Sequence, residues 1–187
     1  ELTGKTKITE TLIFPRFHQL DVIHKTLDDV RQNHSSQNYL IQHSAGSGKT
    51  NSITWLAHRL TSLHDTDNKQ IFDNVVVVTD RVVVDRQLQA ALLGIEHKAG
   101  LIRVMDEKCS SADLANALNS NTKIIATTIQ KFPYIVDSVK GLKNKKFAVI
   151  IDEAHSSTSG KDMAAVSKSL GAGEDDFTDV QDMMTDE

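Results

Sequence analysis

The octet His43-Ser44-Ala45-Gly46-Ser47-Gly48-Lys49-Thr50 constrains this chain more than any other stretch. An apolar run, Tyr39-Leu40-Ile41, precedes it, and Ile53, Leu56, Leu60 and Leu63 follow at helical spacing, so the expected order is strand, tight loop, helix. Small residues let successive backbone N–H groups turn inward, and at the positive end of a helix they make a nest for phosphate oxygens. Lys49 adds a point charge to that nest, and the Thr50 hydroxyl is placed to hold Mg²⁺. The usual G-x-x-x-x-G-K-[ST] pattern opens on glycine, where this chain has His43. Because Gly46, Ser47, Gly48, Lys49 and Thr50 lie closest to the phosphates, the cradle is expected to survive that change. Taken alone, the octet also fits a chance glycine turn before a surface lysine.

The rest of the chain alternates between two periods. Leu20, Ile23, Leu27 and Val30 mark a helix that starts near Pro15, and Asn33 to Asn38 is a polar loop. Val75 to Val78 is an unbroken apolar run, which fits a strand buried on both faces. A helix from Val82 to Leu93, a strand over Leu101 to Met105 and a helix capped by Ser110 or Ser111 follow. Lys123 to Thr127 reads as a strand running into a helix with Phe132, Ile135, Val136 and Val139 inward, and Phe147 to Ile151 is the fifth strand. Strands alternating with helices predict an α/β fold, a parallel sheet with helices on both faces and ligands at the carboxyl ends of its strands.

Composition sets the outer limits. A chain of 187 residues with 39% hydrophobic and 25% charged residues suits one domain with a real core. No run is long and apolar enough for a bilayer and no signal peptide opens the chain, so a cytoplasmic protein without membrane contact is expected. Cys109 is the sole cysteine, which excludes an internal disulfide; it reads as an incidental thiol, with no neighbouring motif to activate it. The eight histidines avoid zinc-ligand spacings. The net charge of −4 resides in residues 174–187, which hold seven acidic and no basic residues, leaving 21 basic against 18 acidic elsewhere. That end is expected to be a disordered acidic loop or tail, and the remaining charge neither demands nor excludes nucleic acid.

The last strand runs into Asp152-Glu153-Ala154-His155. Adjacent carboxylates at the mouth of a buried strand need a compensating cation, and beside a phosphate loop that cation is most simply Mg²⁺. Asp152 is assigned to the metal, and Glu153 to orienting and deprotonating an attacking water. Alone, the pair also fits an acidic helix cap; after a strand and downstream of the loop it points to ATP or GTP hydrolysis.

The octet and Asp152-Glu153-Ala154-His155 together resemble superfamily 2 helicases and translocases. With Val78-Thr79-Asp80-Arg81, Asp85-Arg86-Gln87-Leu88 and Thr127-Thr128-Ile129-Gln130-Lys131-Phe132 added, the chain resembles the motor subunit of type I restriction enzymes between Phe14 and Gly160. The resemblance implies a RecA-like ATPase lobe, incomplete at its C-terminus, over residues 14–173, with 1–13 as an arm or linker. It implies that Gln19 reads adenine, selecting ATP; an ordinary exposed helix residue is the alternative. It places Arg81, Gln87, Thr127, Thr128, Gln130 and Lys131 on DNA, where hydroxyls, amides and cations hold phosphates. It makes His155 a relay of nucleotide state. Implied partners are double-stranded DNA and the methylation and specificity subunits, with the second lobe, its arginine fingers and a nuclease outside this stretch. Rival readings are another superfamily 2 motor, of type III restriction or repair kind, and a non-hydrolysing nucleotide-binding or DNA-binding module.

Overall fold

The structure is a computed structural model and describes residues 13–33, 38–80, 84, 86–95, 100–136, 139, 142, 145–154 and 161–170, the side chains of 161–163 and 167 excepted. Strands β1 (Asn74–Thr79), β2 (Ile102–Val104), β3 (Ile124–Thr128) and β4 (Phe147–Asp152) form one sheet in the order β2-β3-β1-β4. Every pairing is parallel. The helices are α1 (Phe17–Asn33), α2 (Lys49–Thr61), α3 (Arg86–Gly94), α4 (Ser111–Asn119) and α5 (Lys161–Leu170), with a 3-10 helix at Ile129–Tyr134. This is the parallel α/β arrangement that the alternating periods predict, and it is consistent with the RecA-like lobe that the resemblance implies.

The valine run explains why helices cover both faces. Side chains alternate along a strand. Val75 and Val77 accordingly pack with Leu27, Leu56, Leu60 and Leu92 from α1, α2 and α3, while Val76 and Val78 pack with Leu114, Leu118, Phe132 and Val166 from the other side. Burial of each such side chain contributes about 1.5–3 kcal/mol, so β1 is the spine of both cores. Val84 is buried in the first core.

Four expectations change. Residues 39–41 form no strand, so the sheet has four strands and not five among the described residues. Among the described residues no strand pairs with that segment: β4 has β1 on one side, and Leu40 stays 75% exposed while Ile41 packs on the core. Leu20 points outward; the buried stripe of α1 is Gln19, Ile23, Thr26, Leu27 and Val30. The helix after β3 is the 3-10 turn, because Pro133 lies inside it and cannot donate to an α-helical ladder. The predicted helix from Val82 starts at Arg86, residues 81–83 and 85 lying outside the described part. Residues 1–12 and 171–187, which carry most of the expected arm and all of the acidic tail, also lie outside it. No helix among the described residues is long and apolar enough to cross a membrane.

Candidate functional site

The carboxyl ends of three strands lie side by side. Thr79 of β1 is in register with Thr128 of β3 and Asp152 of β4, so the motif-bearing strand ends share one row. The phosphate loop arrives at the same edge by way of α2, which packs on β1 and β4. The Nζ of Lys49, in the first turn of α2, donates to Oε1 of Glu153 at 2.8 Å. Groups 104 residues apart in sequence thus meet.

The loop turns on glycine. Gly46 and Gly48 have φ of 73° and 86°, values that side chains disfavour. Ser47 N–H closes the turn on Ser44 O at 3.2 Å, and Gly48 O accepts from Asn51 and Ser52 N–H to start α2. Gly48 caps α2 with no side-chain hydrogen bond, so the helix presents its amides at this end. His43 precedes the turn without a positive φ, and its ring tilts against His18 with centroids 5.4 Å apart.

On the opposite rim, Glu153 has φ of 57°, one of two positive values for non-glycine residues among those described. A left-handed residue costs about 1–2 kcal/mol. The turn out of β4 holds that geometry, with Asp152 as the last residue of the strand and Glu153 reaching Lys49.

Gln19 is 2% exposed, and its side chain is bound to the loop. Its Nε2 donates to Ser47 O at 3.1 Å and Gly48 O at 3.0 Å, and its Oε1 accepts from Arg16 N–H at 2.8 Å. Two neighbours that sequence reasoning passed over join it. His18 Nε2 lies 3.2 Å from Ser47 O, and Arg16 Nη1 reaches Gly46 O at 3.5 Å. The available signal was position: both stand within three residues of Gln19, the residue that the resemblance assigns to the nucleotide.

The residues expected on DNA separate into two groups. Gln87 and Gln130 are exposed, and Gln130 Nε2 donates to Asp80 O at 2.8 Å, joining the ends of β3 and β1. Thr127 and Thr128, at 0% and 2% exposure, are enclosed, because β3 lies between β1 and β2 with its faces covered. Lys131 is half-buried and donates to Asp106 O at 3.2 Å and to Cys109 O, so its ammonium holds the connection between β2 and α4. Burial, then the Asp106 hydrogen bond, pushes the Cys109 thiol upward, which disfavours the reactive thiolate. Arg81 and His155 lie outside the described residues.

Among the described residues no three His, Cys, Asp or Glu side chains gather as a metal cage. Thr50 and Asp152 carry oxygen donors of the kind that Mg²⁺ takes jointly with phosphate oxygens and water.

No curated protein and no solved structure matches the chain. The sequence model of the SWI2/SNF2 ATPase family matches residues 18–174, from the first turn of α1 past the end of α5. A match over most of the chain, on a parallel sheet whose edge joins Lys49 to Glu153, means that this protein belongs to the SWI2/SNF2 ATPases and is an ATP-using lobe of the superfamily 2 motor kind.

Proposed function

We propose that the chain is the motor lobe of a type I restriction enzyme R subunit, coupling ATP hydrolysis to translocation along double-stranded DNA before a nuclease elsewhere cuts. The observation that supports its chemistry best is the Lys49–Glu153 contact at 2.8 Å, which puts a phosphate-binding cation and a candidate base at one point. The narrower assignment rests on the motif blocks from Gln19 to His155 taken in order.

The geometry suggests how the residues divide the work. The loop amides and Lys49 bind the triphosphate, and its charge competes with Glu153 for the ammonium. Glu153, released from that pair, orients the attacking water and takes its proton. Thr50 and Asp152 would hold Mg²⁺, which neutralises charge developing on the transferred phosphoryl group. Gln87 and Gln130, exposed near the same edge, are candidates for DNA phosphate contacts, with Asp80 set by Gln130.

The test is ATP turnover by the full-length protein with its methylation and specificity subunits, with and without duplex DNA. Lys49→Ala is expected to weaken nucleotide binding, and Glu153→Gln to spare binding while stopping hydrolysis; persistence of hydrolysis in both would remove the motor reading. Stimulation by duplex DNA without those subunits would instead assign the lobe to another superfamily 2 motor. Residues 1–187 alone are expected to bind Mg-ATP weakly and turn it over slowly, since the stabilising arginine normally comes from an opposing lobe.

A further inference from the structure

Helices α2 and α3 both begin at the carboxyl edge of the sheet and run back from it. Lys49 and Thr50 stand in the first turn of α2, while Arg86 and Gln87, both exposed, open α3. The helices share one core, in which Leu56 and Leu60 of α2 pack with Leu88 and Leu92 of α3. In their last turns a hydrogen bond joins them: the ring Nε2 of His58, on α2, lies 3.1 Å from Leu92 O, on α3.

The acceptor explains why a side chain from another helix is needed. A carbonyl only accepts, so Nε2 carries the proton of this bond. Leu92 O is one of the last four carbonyls of α3, which no intrahelical N–H reaches, and α3 has no basic residue in its last turn to serve it. Leu92 is 0% exposed, so without His58 its carbonyl would be buried and unpaired. The bond also does what the leucines cannot. Apolar packing is non-directional and lets one helix roll or slide on another, whereas a ring nitrogen aimed at one carbonyl fixes both rotation and register. By helix rise the bond lies about 14 Å from Lys49 and about 8 Å from Gln87, remote from either end where a ligand would sit.

We propose that His58 is a positioning residue that makes α2 and α3 one rigid unit, so that occupation of the phosphate loop at the start of α2 is felt at Gln87 at the start of α3. This rests on the nucleotide and DNA roles proposed above for those two ends. Coupling between separate sites travels through packed elements held by such directional contacts.

The test is the affinity of the full-length protein, assembled with its methylation and specificity subunits, for the non-hydrolysable imido analogue of Mg-ATP, with and without saturating duplex DNA. The ratio of the two affinities is the coupling, and linkage gives it the same value read from either ligand. His58→Leu, which keeps the packing and loses the donor, is expected to bring that ratio about two- to tenfold closer to one, the scale of one hydrogen bond. Its affinity without DNA should stay within about twofold of the unsubstituted protein. His58→Gln, whose Nε2 stands the same number of bonds from Cβ, should keep the original ratio. Should His58→Leu not fold, His58→Asn, one bond too short to reach Leu92 O, takes its place with the same expectation. An unchanged ratio in the variant lacking the donor, failure of glutamine to restore it, or equal losses with and without DNA overturns the proposal, as does an unsubstituted protein whose nucleotide affinity ignores DNA. If the unsubstituted protein binds no nucleotide at all, the phosphate-loop reading itself falls and the coupling with it.

Discussion

Replacing Gly48 by alanine would put a methyl group where the Gln19 amide sits. Gly48 has φ of 86° and ψ of 37°, and a side chain there costs about 1–2 kcal/mol relative to glycine. Stiffening of the unfolded chain returns about 0.4–1 kcal/mol. The larger effect comes from space, because the new Cβ would stand 2.5 Å from Gln19 Nε2. The amide must withdraw, giving up its hydrogen bonds to Ser47 O and Gly48 O, about 0.5–1.5 kcal/mol each. We therefore expect Gly48→Ala to destabilise the chain by about 2–4 kcal/mol in urea unfolding followed by circular dichroism. With Gln19→Ala already present, the methyl group meets open space and only the backbone cost of about 1 kcal/mol remains. The double-mutant cycle should show a coupling of about 1–3 kcal/mol. Additivity within about 0.5 kcal/mol would refute the close packing of α1 against the loop.

Other consequences follow from the same structure. Phe132 is fully buried between the 3-10 helix and α5, and Phe132→Ala should cost about 3–5 kcal/mol; a loss below about 1.5 kcal/mol in chemical denaturation would mean that the second core is not packed as described. Ser110 and Asp113 exchange hydrogen bonds as a capping box at the start of α4, so Ser110→Ala should cost about 1 kcal/mol, and no loss would contradict the cap. The Ser110 side chain and amide hold the Asp113 carboxyl below its ordinary value of 3.8, so this stabilisation is present above that pH and disappears as pH falls through the lower folded value; Ser110→Ala should flatten that part of an acid titration of Tm. Burial, reinforced by the hydrogen bond to Asp29 at 2.6 Å, raises the Tyr39 phenol from 10.0 to about 12. The folded state favours the neutral phenol, so its contribution is complete below pH 10 and fades as pH rises toward about 12; Tyr39→Phe should remove, and Asp29→Asn should advance, the late step in an ultraviolet titration.

What could be read from the residues alone was whatever depends on near neighbours in sequence. The run Val75 to Val78 announced a strand covered on both faces, Ser110 announced a cap, and the glycines of the loop announced a turn that only they adopt without strain. Period, capping and φ preference act over a few bonds, which is why those elements were legible. Long-range packing decided the rest. Tyr39-Leu40-Ile41 has strand-like composition yet lies outside the sheet, because a strand exists only where another accepts its hydrogen bonds. Leu20 yielded the buried face of α1 to Gln19, since the phosphate loop supplies carbonyls that an amide satisfies and a leucine cannot. Lys49 and Glu153 each carried a chemical suggestion in isolation; that they meet at 2.8 Å, with Glu153 in a left-handed turn, was settled only when β4 paired with β1 and α2 packed across both.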